Sequence, residues 1–175
     1  MTQEKNRKSN RLKDYDYSRN GYYFVTICIK DRQELFGTVE NNQMILNDLG
    51  KIAEKCWIDL PNHYMNCALD EFTIMPNHIH GIVVIDNELL TNYVVTGFKP
   101  VTTKNHSLSE IIRGFKTFSS RCINELNLPL LFRWQRSFYD HIIRNEKSLE
   151  KIREYVVYNP LKWELDRNNT ENLFM

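Results

Sequence analysis

His78 and His80 flank Ile79 inside F-T-I-M-P-N-H-I-H-G-I-V-V-I, a run of apolar and β-branched residues that reads as extended chain. Alternate side chains of a strand share a face, so two imidazoles at i and i+2 point the same way with a spacing that suits one metal ion. Far downstream, residues 145–159 read as a short helix closing on E-Y-V-V-Y-N-P, which presents Tyr155 and Asn159 one turn apart. These residue types fit phosphodiester chemistry. Imidazole nitrogens and an amide oxygen hold a divalent cation while leaving positions for phosphate oxygens, and a phenol can attack phosphorus. With an ordinary pKa near 10, only about one part in a thousand of a tyrosine is phenolate at neutral pH. The cation therefore has to polarise the phosphate and steady the leaving oxygen. Taken singly, each residue has a structural reading: a satisfied strand histidine, an amphipathic helix tyrosine, an asparagine at a helix end. Their combination, in this order, carries the chemistry.

Helical phase separates the two tyrosines of the tail. At about 100° per residue, Leu149, Ile152 and Val156 define a buried stripe; Asn159 falls nearest its centre, Tyr155 next, and Tyr158 on the far side of the helix. Tyr155 and Asn159 are thus expected to face the histidines, and Tyr158 the solvent. Pro160 places the helix end at Asn159.

The remaining pattern supplies the elements that must position this chemistry. Residues 22–30 predict a first strand, and 35–46, with Gly37 and Asn41-Asn42, a small hairpin. Asp48 is expected to cap a helix running to Leu60 and stopped by Pro61. Residues 67–75 and 79–85 predict two antiparallel strands joined through Pro76-Asn77, and 86–107 a long connection. Ser107 or Ser109 caps a helix bearing Ile111, Ile112, Phe115, Phe118 and Ile123 that ends before Pro129. An extended segment from Phe132 to Arg144 precedes the terminal helix. The resulting β-α-β-β-α-β order predicts an α+β, ferredoxin-like antiparallel sheet with two helices on one face. On the strand 79–85, Ile82 and Val84 continue the histidine face, so that face needs a cover, and the terminal helix is the available one.

With 175 residues and 42% apolar content, one domain is expected. A basic arm over 1–20, a domain over 21–165 and a tail over 166–175 divide the chain. The net charge of +1 conceals six basic residues against three acidic ones in positions 1–19. Among them Lys5, Arg7, Lys8, Arg11 and Lys13 suit either a solvated arm or phosphate contact. Cys28, Cys56, Cys67 and Cys122 form no C-x-x-C pair, and no apolar leader precedes them, so reduced thiols in a cytoplasmic setting are expected. No apolar run is long enough to span a bilayer.

In these blocks the chain resembles the single-tyrosine transposases of the histidine-hydrophobic-histidine (HUH) superfamily, and among them the REP-associated tyrosine transposase branch. The likeness rests on R-L-K-D-Y-D-Y-S with Y-Y-F-V-T-I-C-I, on M-P-N-H-I-H-G-I, on S-L-S-E-I-I-R-G-F-K, on W-Q-R-S-F-Y-D-H-I-I-R and on E-Y-V-V-Y-N-P-L-K-W. It implies a ferredoxin-like (RRM-like) fold, a Mg²⁺ or Mn²⁺ site, and cleavage and joining of single-stranded DNA near hairpin (REP-like) elements through a 5′-phosphotyrosine intermediate. His78 and His80 would be metal ligands and Tyr155 the nucleophile. Asn159 stands where many relatives carry a glutamine ligand one methylene longer. Both monomers and homodimers occur among such proteins.

Arg113 and Lys116 on the second long helix, and Arg133 and Arg136 around Trp134, mix charge with an aromatic ring as single-strand binders do. A solvated helix face and a core tryptophan account for them equally well. His141 shares a strand face with Tyr139 and either contacts DNA or is structural; His63 and His106 have no partner by spacing. Two rival functions remain open. A non-catalytic RRM-like module would display aromatics from Tyr22 to Phe24 on an open sheet, and a metal-dependent nuclease would use water in place of Tyr155.

Overall fold

A computed structural model of the chain describes residues 12, 14–89, 105–127 and 129–165. The proposed DNA contacts Lys5, Arg7, Lys8, Arg11 and Lys13, the tail 166–175 and residues 90–104 of the long connection lie outside the described residues. Among those described, no helix is long and apolar enough to cross a membrane, and the four cysteines are free thiols.

A four-stranded antiparallel sheet organises the molecule. Its strands are β1 (Gly21–Cys28), β4 (Cys67–Met75), β5 (His78–Ile85) and β6 (Tyr139–Ile143), in the order β4-β5-β1-β6. The hairpin β2 (Gly37–Glu40) and β3 (Gln43–Leu46) precedes the first helix. Its turn is legible in sequence: Asn41 and Asn42 both adopt positive φ, 51° and 64°, the geometry that tight hairpin turns require. At Gly37, φ is 136° and a Cβ would lie 2.0 Å from the Ile45 carbonyl oxygen. Only glycine fits there.

Helices α1 (Asp48–Ile58) and α2 (Leu60–His63), followed by α3 (Leu108–Asn124), form a layer on one face. The cap of α1 is Asn47, whose side chain accepts from the Gly50 amide, so the sequence expectation of Asp48 is off by one residue. Pro61 does not end the helical path. It occupies the first turn of α2, where a missing N–H costs nothing. Ser107 caps α3 in a full capping box with Glu110.

Alternation along β1 and β5 sorts side chains between the two faces. Tyr23, Val25 and Ile27 with Ile79, Val83 and Ile85 enter the main core against Trp57, Ile111 and Phe115. Gly81 permits this closeness, since a Cβ there would meet Trp57 Cζ2 at 2.5 Å. The segment before β1 joins the same body: Tyr17 is buried, the Tyr23 hydroxyl donates to the Arg19 carbonyl at 2.7 Å, and the Leu108 amide donates to the Tyr17 carbonyl. On the opposite face a smaller cluster of Phe24, Ile82, Ile143, Leu149 and Val156 receives α4 (Glu146–Val157). The terminal helix covers the histidine face, as that face's apolar remainder requires.

Candidate active site

Beside the four-residue stretch His78–Gly81 the backbone register reads directly: His78 lies opposite Cys28 and Met75, and His80 opposite Thr26 and Thr73. Both histidines are buried, 0% and 1% exposed, with ring centroids 4.3 Å apart. Each is oriented through Nδ1. The Asn77 amide nitrogen donates to the Arg32 carbonyl at 3.2 Å, which fixes Oδ1 as the acceptor facing His78 Nδ1 at 2.8 Å. His78 therefore carries its proton on Nδ1. Thr26 Oγ1 lies 2.9 Å from His80 Nδ1. With both Nδ1 atoms engaged, Nε2 is the ring atom that each histidine offers to a cation, and such partners set tautomer and ring orientation at metal sites.

Tyr155 reaches this pair. Its hydroxyl is 3.2 Å from His80 Nε2, and the two rings lie 5.2 Å apart. Phe24 stacks on His80 at 5.4 Å and meets the Tyr155 ring edge-on at 5.9 Å. Tyr155 is 38% exposed and Tyr158 54% exposed, so the helical phase places the two hydroxyls as expected. Asn159 is buried one turn past Tyr155, at the junction of α4 and a 3₁₀ stretch, Pro160–Leu165. From that stretch Trp163 turns its ring toward His78, 6.0 Å away.

An ion pair secures α4. Arg153 donates from Nε and Nη2 to the two Asp70 oxygens at 2.9 and 2.6 Å, and its other terminal nitrogen lies 3.6 Å from Glu146. Asp70 sits at the irregularity in β4 between Leu69 and Phe72. The Arg153 hydrogen bonds hold the Asp70 carboxyl below the usual aspartate range, and Asp70 in turn raises Arg153. This fork is two residues from Tyr155, so it fixes the helix that carries the phenol.

Sequence reasoning missed Thr26, Asn77, Phe24, Trp163 and the Asp70–Arg153 pair as parts of this site. Phe24, Thr26, Asn77 and Trp163 stood inside quoted motifs, but only register and tertiary packing bring them to the histidines, and Asp70 to Arg153. The basic candidates are dispersed. Arg113 and Lys116 lie on α3, across the sheet from the histidines, and Lys116 donates to the carbonyls of Gln135 and Ser137 at 2.9 Å each. Arg133 and Arg136 are exposed beside Trp134; Trp134 itself is a core residue that donates from its indole to Ser119 at 3.0 Å. His63 pairs with Asp59 at 2.8 Å.

Among the described residues, no group of three or more His, Cys, Asp or Glu side chains could hold a metal ion. A cation between His78 and His80 would thus need neutral oxygen donors, and the amide of Asn159 and phosphate oxygens are of that kind. The donor set fits Mg²⁺ or Mn²⁺ only with such completion.

No protein-family model matches the chain. A Haemophilus influenzae protein described as "Uncharacterized protein" is 40% identical over 166 residues, 92% of each chain. A second protein from that organism, "Putative REP-associated tyrosine transposase", is 27% identical over 148 residues, 84% of this chain and 74% of its own. The chain is thus similar to a REP-associated tyrosine transposase over most of its length. Its fold recurs in a solved REP-associated tyrosine transposase bound to a REP hairpin, with a TM-score of 0.58 at 18% identity over 87% of this chain and 73% of that one. At that identity the likeness concerns the fold.

Proposed function

We propose that this protein is a transposase that cleaves and rejoins single-stranded DNA at hairpin-associated sites through a 5′-phosphotyrosine intermediate, with Tyr155 as nucleophile. The observation that carries the reading is the Tyr155 hydroxyl 3.2 Å from His80 Nε2, beside a second histidine oriented the same way. The hairpin partner is supported by the REP hairpin bound in the structural neighbour.

His78 and His80 would hold the divalent cation through Nε2, with Asn159 contributing its amide oxygen directly or through water. When bound, Mg²⁺ or Mn²⁺ supplies Lewis-acid polarisation of the scissile phosphate. The chain's own residues do the rest. Thr26 and Asn77 keep both imidazoles aimed, and Phe24 and Trp163 flank the rings with apolar surface. Arg153 and Asp70 hold α4 so that the phenol stands beside His80. In the cleavage step the Tyr155 oxygen bonds to phosphorus, the phosphorus–O3′ bond breaks, the phenol's proton passes to solvent and the departing 3′ oxygen ends as a hydroxyl. Attack of a 3′ hydroxyl on the phosphotyrosine reverses the step and joins strands. Because Tyr155 meets His80 of its own chain, the reading is of a site completed within one subunit.

A labelled single-stranded hairpin oligonucleotide with Mg²⁺ or Mn²⁺, resolved on a denaturing gel, tests this. The expected result is a protein-linked band that persists in Tyr158→Phe and is lost in Tyr155→Phe and His78→Ala. Cleavage without an adduct would assign the reaction to water, and binding without cleavage would reduce the protein to a binding module.

A further inference from the structure

On the histidine face of the central strand, Tyr22 is 37% exposed but lies four residues before Thr26, which faces His80. Phe24, which an RRM-like platform would display, is 8% exposed and stacked on His80. Instead the edge strand β6 presents Tyr139, 39% exposed, and the exposed ring of His141 on the same face of the sheet as the histidine pair. The register establishes the face: Tyr139 lies opposite Thr26 and His141 opposite Phe24, and Thr26 and Phe24 both touch His80. The intervening Asp140 is buried on the other side. Helix α4 runs from the end of β6 to β4, where Arg153 is anchored on Asp70, so that among the described residues Tyr139 and His141 stay exposed at this edge.

We propose that Tyr139 and His141 form a stacking platform for two successive bases of single-stranded DNA, leading the strand to Tyr155. This rests on the Tyr155 reading above and extends it to the substrate's path. Continuity with the site is the first argument. Phe24 meets the Tyr139 ring edge-on at 6.5 Å and the Tyr155 ring at 5.9 Å, so one buried ring joins platform and nucleophile. Spacing is the second. Residues two apart on a strand are separated by about 6.8 Å, roughly twice the 3.4 Å rise per base of a duplex strand. Bases must unstack to occupy both rings, which selects an extended single strand. Charge is the third: exposed Arg136 and Arg144 bracket β6 and suit the phosphates of such a strand. Stacking on aromatic rings tolerates any base, so the platform supplies grip and direction, with sequence read elsewhere.

Binding of a fluorescein-labelled mixed-sequence single-stranded 20-mer, and of its duplex, tests the platform by anisotropy, alongside the covalent-adduct gel. Tyr139→Ala is expected to weaken single-strand binding on the order of tenfold, Tyr139→Phe to restore it, and His141→Ala to weaken it severalfold, with duplex binding unchanged and circular dichroism matching the wild type. Wild-type affinity in both alanine variants overturns the platform while leaving an adduct at Tyr155 intact. Loss of affinity equal for Tyr139→Ala and Tyr139→Phe also overturns it, because a ring would then not be the element recognised. Ring-dependent binding in a protein that forms no adduct keeps the platform and discards the Tyr155 reading.

Discussion

The two faces of one sheet are built from the same strands by opposite rules. Toward α1 and α3, β1 and β5 send Tyr23, Val25, Ile27, Ile79 and Val83 into a continuous core, where each fully buried large side chain contributes about 1.5–3 kcal/mol. Toward α4, the alternate residues of those strands include Phe24, Thr26, His78 and His80, a set only partly apolar, in which Thr26 orients His80 and Asn77 orients His78 by directed hydrogen bonds. The first face supplies the stability that lets the second keep two buried imidazoles and a half-open cover. A one-residue slip of β5 against β1 would exchange the two sets, so stability and chemistry share one register.

The sharpest way to break this comparison is a change that alters one face without the other. Tyr155→Phe is expected to abolish the covalent DNA adduct on the gel while the urea unfolding midpoint stays near wild type, since one half-exposed hydroxyl is lost. Phe115→Ala, on the core face, should cost about 3–5 kcal/mol in urea unfolding yet leave the adduct yield per folded molecule unchanged. Asp70→Asn probes the join between them. Because the Arg153 hydrogen bonds lower the folded-state pKa of Asp70, the pair's stabilisation is complete above the unfolded carboxylate value near 3.9 and is lost as pH falls through the lower folded value. Thermal melts should therefore show wild type above Asp70→Asn at pH 7, the gap closing below about pH 4; a gap constant down to pH 2 would remove the ion pair as anchor of α4. Smallest, Ser107→Ala should cost about 1 kcal/mol through the lost α3 cap, read by urea unfolding, with no effect on DNA cleavage.

Much of the site was legible because its parts are local. The shared face of the i, i+2 histidines needed only the period of a strand, and the placement of Tyr155 rather than Tyr158 toward His80 only the period of a helix. Departures occurred where two local signals compete. Asn47 and Asp48 are both able to cap α1, and the tertiary path of the chain from Phe36, whose carbonyl accepts from the Asn47 amide, selects the first. Pro61 reads as a stop by propensity, but a proline in a first turn is neutral, and a new helical turn starts around it. Lys116 was grouped with strand-binding cations by composition, whereas its ammonium is spent on two carbonyls of the segment leading to β6.

What the linear chain by itself determined is the set of faces: which residues alternate, which fall one turn apart, and hence which groups are capable of meeting. Which of them do meet was decided in three dimensions. Thr26 comes to His80 across a strand pairing separated by 54 positions, and Asp70 to Arg153 across 83, because sheet register and helix docking minimise exposed apolar area over the whole molecule and no local pattern encodes such distant partners.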